Sequence, residues 1–529
     1  MSIRFSSNTV LTLLLITMVG IQVFAAERQV RIEAGLVEGT DSASGVTSFK
    51  GIPFAAPPVG DLRWRPPAPV RKWDGVRKAD KYAAPCMQTP VTGLTGVSAV
   101  ELNERVRLPG TPSEDCLTLN VWTPAKSASD RLPVMFWIHG GGLWAGSPGV
   151  PRTEGGALAA KGIVLVSVNY RLGVFGFLAH PELTKESDHH SSGNYGFLDQ
   201  LAALRWVNKN IAAFGGDPNN VTIFGESAGS WSVNVLVASP LAKGLFRRAI
   251  GESGALFAGS RQVLSGQLRP LAEAEQAGVK FAQALGARSL SELRSKSADE
   301  ILKAPAASSQ DSRGATIEGW FLPDSLERFF AAGRQNDVPI LIGSNDDEGA
   351  AFGQAVPSVE AWRRRASELF GAKADEFLKL YPASTDVEAR KSSSTFFGDA
   401  AFGLQMRRWA RLQSRTGKSP AYLYSFNRVS PDAECRCATH ASEIPYVFRT
   451  VYSSARPFQD ADKKVSDAMS SYWVNFAKTG NPNGPGLPEW PAYNPSSDVV
   501  LVLGDQIAAK PTPHKPALDF MEAFFTESH

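Results

Sequence analysis

Cysteine and histidine are scarce in this chain of 529 residues, and its positive and negative charges are nearly balanced. Its 55 basic and 52 acidic side chains leave a formal net charge of +3, which does not indicate a nucleic-acid-binding surface. Beyond the N-terminus, no stretch of roughly eighteen uninterrupted apolar residues predicts a membrane span. With 43% hydrophobic and 20% charged residues, the composition is that of an ordinary globular protein.

Only four cysteines occur: Cys86, Cys116, Cys435 and Cys437. A bond between Cys86 and Cys116 would close a loop of about 31 residues and contribute about 3–4 kcal/mol to stability. Cys435 and Cys437 could form a small disulfide, stay reduced or pair differently. No second Cys/His cluster has zinc-ligand spacing, so a metal site is not expected.

The N-terminus has the pattern of a secretory signal peptide. Arg4 precedes an apolar run over residues 10–24, and Val23 and Ala25 place small residues at the two key cleavage positions. No cysteine lies near the cleavage point, so a lipid anchor is not expected. We predict that residues 1–25 are removed, that residues 26–529 form one domain, and that the mature protein is secreted or periplasmic without a stable membrane anchor. Disulfides would suit that compartment.

The chain is organised around the pentapeptide Gly225-Glu226-Ser227-Ala228-Gly229, between an apolar run at 221–224 and a helix-compatible stretch at 230–237. Alone, such a G-x-S-x-G motif is often only a turn of small residues. Between a strand and a helix it predicts a nucleophile elbow, with the serine hydroxyl at the carboxyl edge of a sheet. The first N–H groups of that helix would favour the negative charge of a tetrahedral intermediate. Ser227 is therefore the predicted nucleophile.

A nucleophilic serine needs a base, and His440 is the predicted one. It follows a predicted strand and leaves room between Ser227 and itself for an acid at the end of another strand, in the order serine, acid, histidine. The other histidines are assigned to the glycine loop, to a polar loop where we expect them to be solvated, or to the tail: His139, then His180, His189 and His190, then His514 and His529.

The acid that orients the base should follow a strand between Ser227 and His440. Asp346, Asp347 and Glu348 come directly after the apolar run 338–342, and any of them has a suitable position. An acidic loop of this kind is usually a solvated turn. Here one of the three is predicted to orient the base, although spacing alone does not choose among them.

Three glycines after His139 predict an oxyanion hole. Glycine allows main-chain N–H groups to reach a substrate oxygen without an intervening Cβ, so we expect the donors to be the N–H groups of Gly141, Gly142 and Ala228. A phosphate-binding loop is the competing interpretation, and it fails because no Gly-Lys-Ser/Thr follows.

Strand and helix signals alternate along the chain without a linker-like break. Leu132–Ile138 is an almost continuous apolar run, as expected for a parallel strand buried on both faces. Apolar residues recur at spacings of three and four over 198–211, which predicts an amphipathic helix. We therefore predict an α/β fold with a large, mostly parallel central sheet flanked by helices. A helix-rich insertion at 260–335 is expected over the active-site edge.

From about residue 51 to residue 493, the chain resembles the type-B carboxylesterases, which include the cholinesterases. The matching blocks lie at 49–67, 114–121, 139–142, 169–171, 193–196, 214–229 and 476–482. This resemblance implies an α/β-hydrolase fold and hydrolysis of small-molecule esters through an acyl-enzyme, with a Ser-His-Glu triad and neither metal nor cofactor.

The resemblance also assigns individual residues. Residues 347–349 resemble the acid motif of the family, which selects Glu348. Cys86 and Cys116 resemble its first disulfide, and Arg63 with Glu114 a supporting salt bridge. Cys437 departs from the family pattern, because it stands where the family usually has glycine.

Two other function classes remain open at this stage. One is a non-catalytic, cholinesterase-like binding module, since a fold does not guarantee an activity. The other is an amidase or acyltransferase that uses the same triad. Trp144 and the insertion would line the acyl or alcohol pocket, or else serve only in packing. Neither the ester nor the oligomeric state can be predicted from the sequence.

Overall fold

The structure is a computed structural model that describes residues 29–42, 45–91, 94–95, 97–257, 268–305 and 314–527. The predicted signal peptide lies outside these ranges, as do His529 and parts of the predicted insertion. Within them, no helix combines the length and apolar character needed to cross a membrane.

A mixed sheet of eleven strands forms the centre of the fold, in the order β16-β15-β14-β13-β10-β9-β7-β8-β6-β4-β3. The seven strands from β15 to β8 in that order are parallel to one another, and the strands at both edges pair antiparallel. The mostly parallel sheet is therefore confirmed. The strand bounds are β1 Gln29–Ile32, β2 Gly35–Glu38, β3 Thr40–Asp41, β4 Thr47–Pro53, β5 Val76–Lys78, β6 Thr118–Thr123, β7 Leu132–Ile138, β8 Val164–Val168, β9 Gly216–Glu226, β10 Arg248–Glu252, β11 Leu268–Pro270, β12 Ala315–Ile317, β13 Ile340–Asn345, β14 Ala421–Phe426, β15 Val499–Leu503 and β16 Ala508–Pro511.

Helices cover both faces of this sheet. Alternate side chains of β7 enter two apolar clusters, because successive residues of a strand point to opposite faces. One cluster includes residues of α5 and α6, and the other includes residues of α15 and α16. The helix bounds are α1 Ala99–Val106, α2 Gly156–Ala159, α3 Gly173–Phe177, α4 Pro181–Glu186, α5 Tyr195–Asn210, α6 Ala228–Ala238, α7 Leu271–Ala284, α8 Leu290–Ser295, α9 Ala298–Leu302, α10 Leu326–Ala331, α11 Val359–Phe370, α12 Ala374–Leu380, α13 Asp386–Gly398, α14 Leu404–Thr416, α15 Ile444–Phe448, α16 Asp460–Thr479 and α17 Lys515–Glu527.

The parallel strands bring four distant segments to one edge of the sheet. The glycine run follows β7, the elbow follows β9, the acidic loop follows β13 and the histidine loop follows β14. Carboxyl ends of parallel strands meet at the same edge, where ligands of open α/β sheets bind. The described parts of the insertion contain α7 to α10 and a two-stranded sheet of β11 and β12, so its helix-rich character is confirmed.

Two of the implied links are present near the N-terminal strands. Cys86 and Cys116 form a disulfide, and each of these residues is 1% exposed. Arg63 contacts Glu114 through two hydrogen bonds of 2.6 Å, one from Nε to Oε1 and one from Nη2 to Oε2. Such paired bonds fix the orientation of both side chains.

The double variant Cys86→Ser/Cys116→Ser is expected to lower the free energy of unfolding by about 3–4 kcal/mol, because the bond closes a long loop in the unfolded chain. The two cysteines are 30 residues apart in sequence, whereas Cys435 and Cys437, which also form a disulfide, are 2 apart. Urea unfolding should therefore show a much smaller loss for Cys435→Ser/Cys437→Ser. Equal losses would contradict this explanation.

Candidate active site

Ser227 occupies a strained turn between β9 and α6, with φ 58° and ψ −121°. Its N–H donates to the Glu252 carbonyl oxygen at 2.8 Å, which helps to hold this unfavourable conformation. A Cβ on Gly229 would lie 2.0 Å from the Ile138 carbonyl oxygen, and one on Gly225 would lie 2.7 Å from the same atom. Only glycine allows strand, helix and β7 to approach this closely, so the structure has the elbow that the motif predicts.

The glycine loop after β7 lies against this turn. Gly141 and Gly142 have φ values of 106° and 64°, a region that favours glycine. A Cβ built on Gly140 would lie 3.0 Å from the Ser227 Cβ. Among the described residues, no acceptor is assigned to the N–H groups of Gly141, Gly142 or Ala228. The loop therefore offers backbone donors beside the serine.

His139 supports this loop. Its Nδ1 lies 2.8 Å from the Gly140 carbonyl oxygen, and its ring stacks on Tyr170 with 4.5 Å between centroids. The Tyr170 hydroxyl donates to the His139 carbonyl oxygen at 2.8 Å. Burial lowers the pKa of His139 to about 4, so this imidazole is neutral at neutral pH. These contacts agree with the structural role predicted for His139.

His440 joins the acidic loop to the elbow. Its Nδ1 lies 2.5 Å from Glu348 Oε2, and its Nε2 lies 3.1 Å from Oε1 of Glu226, the residue before Ser227. The His440 carbonyl oxygen accepts a hydrogen bond of 2.6 Å from Arg105 Nη1. The imidazole is thus fixed at both ends, with Nδ1 on the acid and Nε2 towards the elbow.

The three acidic residues after β13 have different partners. Glu348 contacts the imidazole, whereas the Asp346 carboxylate accepts a hydrogen bond from the Ser425 hydroxyl. Asp347 Oδ2 accepts from the Ala438 N–H at 2.9 Å and so supports the histidine loop. The contacts therefore separate the three candidates, which spacing alone did not.

Burial is the largest influence on both members of the His440–Glu348 pair. It lowers the pKa of His440, so the ring is neutral at neutral pH. Burial raises the pKa of Glu348 to about 8, and the hydrogen bond of 2.7 Å from the Asn345 N–H to Glu348 Oε1 offsets part of this rise. A carboxylate at Nδ1 retains the ring proton there, which leaves Nε2 as the proton acceptor.

Further carboxyl groups, whose roles were not predicted from the sequence, lie buried near His440 and the elbow. Glu226 and Glu443 are each at most 1% exposed, and burial raises the pKa of both to about 7. Glu443 Oε2 accepts from Asn345 Nδ2 at 2.5 Å, and Glu252 Oε1 accepts from Trp473 Nε1 at 2.8 Å. The position of Glu226 beside Ser227 was the one signal that could have indicated its place.

Trp144 contributes to a small cavity next to the glycine loop. A Cβ on Gly142 would lie 2.5 Å from Trp144 Nε1, so the indole packs directly on this glycine. Ile301 and Leu302 of the insertion line the same cavity, as does Phe175. Trp144 and the insertion therefore meet beside the glycine loop.

One prediction about the other histidines is wrong. His180 is buried rather than solvated, and its Nδ1 caps α4 by accepting a hydrogen bond of 3.2 Å from the Glu182 N–H. His189 is exposed as expected, and its ring stacks on Trp320 with 3.7 Å between centroids. The polar sequence around His180 did not indicate this capping role.

Comparison with known proteins agrees with this site. Residues 26–521 match the family described as the Carboxylesterase family. The chain belongs to the carboxylesterase family. It is therefore a carboxylic-ester hydrolase with the α/β-hydrolase fold.

Several curated relatives of this carboxylesterase carry esterase names. Fumonisin B1 esterase of Sphingopyxis macrogoltabida is 40% identical over 497 residues, which cover 90% of this chain and 86% of that protein. Para-nitrobenzyl esterase of Bacillus subtilis (strain 168) is 36% identical over 503 residues, covering 92% and 96% of the two chains. Cocaine esterase of Homo sapiens is 36% identical over 502 residues, covering 88% and 85%.

Proposed function

We propose that this carboxylesterase hydrolyses small-molecule esters through an acyl-enzyme on Ser227, with His440 as the base and Glu348 as the orienting acid. The observation that carries the proposal is the fixed imidazole, with Nδ1 2.5 Å from Glu348 and Nε2 directed to the elbow. A neutral ring held in this tautomer can accept the serine proton.

In the first half of the reaction, the Ser227 oxygen attacks the ester carbonyl carbon while His440 Nε2 takes the hydroxyl proton. The carbonyl oxygen becomes an oxyanion, and the N–H groups of Gly141, Gly142 and Ala228 are the proposed donors to it. Losing one such donor typically lowers kcat by about 10²–10³-fold. Protonated His440 then donates its proton to the leaving alcohol, and the acyl group remains on Ser227.

The second half repeats these steps with water as the nucleophile. His440 takes a proton from the water, which attacks the acyl carbon, and the same N–H groups hold the second oxyanion. As a carboxylate, Glu348 stabilises the imidazolium that forms in both halves, and the imidazolium in turn favours the ionised form of Glu348. Release of the carboxylic acid restores the Ser227 hydroxyl and neutral His440.

Turnover of p-nitrophenyl acetate tests this function, with a rapid first release of nitrophenolate as the sign of an acyl-enzyme. Matched p-nitroanilides and added acceptor alcohols examine the amidase and acyltransferase alternatives in the same assay. A wild-type protein that is inert on a broad panel of esters would favour the non-catalytic binding module.

Glu226→Gln is expected to lower kcat/KM about tenfold at about pH 8, equal to about 1.4 kcal/mol of lost transition-state stabilisation. At that pH a side chain with a pKa of about 7 is mostly ionised, and its charge faces His440 Nε2. This charge raises the pKa of His440 and stabilises the imidazolium. Because wild-type Glu226 holds a proton well below pH 7, the difference between Glu226→Gln and the wild type should shrink as the pH falls through about 7.

A matched control is Glu318→Gln, which changes a buried carboxylate that accepts hydrogen bonds from the N–H groups of Trp320 and Phe321. This control should keep a constant ratio of its kcat/KM to that of the wild type across the same pH range. If Glu226→Gln differed from the wild type by the same factor above and below pH 7, the assigned role of the Glu226 charge would be contradicted.

Export is also part of the proposal. The motivation is the N-terminal pattern of Arg4, an apolar run over 10–24 and small residues at Val23 and Ala25. N-terminal sequencing of protein recovered outside the cytoplasm should begin at Ala26. Recovery of the full-length chain from the cytoplasm would overturn export.

A further inference from the structure

Cys435 and Cys437 form a disulfide in the loop between β14 and α15, three residues before His440. Only Arg436 separates the two cysteines, whose Cα atoms are 5.3 Å apart. Cys435 is exposed and Cys437 is 9% exposed, whereas both cysteines of the Cys86–Cys116 bond are 1% exposed. A thiol in solution can therefore reach the Cys435–Cys437 bond but not the Cys86–Cys116 bond.

This small ring lies between two firmly held points of the backbone. Before it, the Asp432 carboxylate accepts hydrogen bonds from Arg456 Nε at 3.1 Å and from the Ser98 hydroxyl at 2.7 Å. After it, the Ala438 N–H donates to Asp347 Oδ2 at 2.9 Å, and the Asp347 N–H donates to the Ala438 carbonyl oxygen at 3.1 Å. The ring thus sets the length and path of the chain between them.

Arg436, the middle residue of the ring, has φ 49°. This left-handed conformation is unfavourable for a residue with a Cβ, and it persists where the surrounding structure imposes it. The covalent ring constrains the chain on both sides of Arg436, whose N–H also donates to the Ala433 carbonyl oxygen at 3.1 Å. Opening the ring would let Arg436 leave this conformation and shift the chain that leads to His440.

We propose that the Cys435–Cys437 disulfide is a site of thiol–disulfide exchange with low-molecular-weight thiols, and that its opening slows hydrolysis by releasing the histidine loop. The exchange itself is independent of any enzymatic activity. The effect on rate rests on the proposed function of His440.

The exchange takes two steps. A thiolate attacks Cys435 Sγ, the S–S bond breaks, and its electron pair leaves on Cys437 Sγ as a thiolate. A second thiolate attacks the outer sulfur of the mixed disulfide at Cys435, which releases the small disulfide and leaves the Cys435 thiolate. Two electrons pass from two thiols to the protein bond, and the reverse reaction with a small disulfide restores the ring.

Labelling tests the site directly. The folded full-length enzyme is treated with dithiothreitol, alkylated with iodoacetamide and mapped by peptide mass spectrometry. The proposal expects label on Cys435 and Cys437 and none on Cys86 or Cys116. Absence of label at Cys435 and Cys437, or equal labelling of both disulfides, would overturn it.

Kinetics test the effect on the histidine loop. A displacement of about 1 Å near the reacting groups can lower rates by about 10²-fold, so we expect reduction to lower kcat for p-nitrophenyl acetate by about tenfold with KM little changed. Oxidised glutathione should restore the rate. An unchanged kcat in fully labelled enzyme would overturn the regulatory half, while loss of all activity in the oxidised enzyme would instead contradict the proposed function.

Variants separate loop geometry from other effects of the reductant. Cys435→Ser/Cys437→Ser should have the kcat of the reduced enzyme and should not respond to dithiothreitol. Adding Arg436→Gly to this double variant should recover kcat, because glycine adopts positive φ readily without a covalent ring. A triple variant no faster than the double variant would contradict the role given to Arg436.

Discussion

Ser227→Ala is expected to lower kcat for p-nitrophenyl acetate by about 10⁶-fold, the size of effect seen when a serine hydrolase loses its nucleophile. The substitution removes one oxygen from a half-buried side chain on a turn that backbone hydrogen bonds hold. The fold should therefore persist, so the loss reflects chemistry. Steady-state rates and thermal unfolding of the same preparation measure both properties.

Ser232→Ala is the matched control for this substitution. Ser232 lies in the same helix, α6, where its hydroxyl donates to the Ala228 carbonyl oxygen at 2.9 Å. Its loss should leave kcat within a few-fold of the wild type. If Ser227→Ala retained substantial turnover, another nucleophile would have to be sought.

Glu348→Gln is expected to lower kcat by about 10⁴-fold, as for the acid of other triads. An amide at this position cannot stabilise the imidazolium as a carboxylate does, and it can hold His440 in the wrong tautomer. The variant retains the size of the side chain, so it should bind substrate with a similar KM. Steady-state kinetics across a range of pH values should find the loss throughout, since raising the pH does not restore the missing charge.

The neighbouring Asp346 gives the control for the acid. Its carboxylate contacts Ser425 instead of the imidazole, so Asp346→Asn should lower kcat only a few-fold. A larger loss for Asp346→Asn than for Glu348→Gln would mean that the acid has been assigned to the wrong residue.

The sheet could be predicted from the sequence because buried parallel strands have a simple pattern. Leu132–Ile138 is apolar on both faces and forms β7, whose side chains enter clusters on both sides of the sheet. The elbow was equally predictable, since its glycines are required locally where β9, α6 and β7 approach. Both features have short sequence patterns that can be recognised without knowing the distant contacts, such as the one between Gly229 and Ile138 of β7.

Contacts between distant segments were not predictable in the same way. Asp346, Asp347 and Glu348 share one loop, and their roles depend on which side chain meets a histidine 92 residues away. The buried carboxyl groups of Glu252 and Glu443 are far apart in sequence and share no motif, and the fold brings them close together. The bond between Cys435 and Cys437 likewise depends on backbone geometry, which left three alternatives open in the sequence.

Arginine side chains accompany the buried acidic groups near His440. Arg105 donates to the His440 carbonyl oxygen, and Arg152 Nη1 donates to the Ala441 carbonyl oxygen at 3.3 Å. Burial raises the pKa of Glu226 and Glu443, and the positive charge of Arg152 offsets part of that rise. A negative charge on Glu226 near His440 Nε2 would stabilise the imidazolium that forms in the proposed mechanism.

The most direct test of the central claim is mass spectrometry of the covalent intermediate. Glu348→Gln is mixed with p-nitrophenyl acetate, quenched in acid and digested. The p-nitrophenolate group leaves without a proton, whereas deacylation also needs the imidazolium to protonate the departing Ser227 oxygen, so deacylation should be the slower step and the intermediate should accumulate. The account predicts one acetyl group per chain, on the peptide that contains Ser227, and none in the Ser227→Ala/Glu348→Gln control. An acetyl group on another residue, or hydrolysis that continues without a modified Ser227, would contradict it.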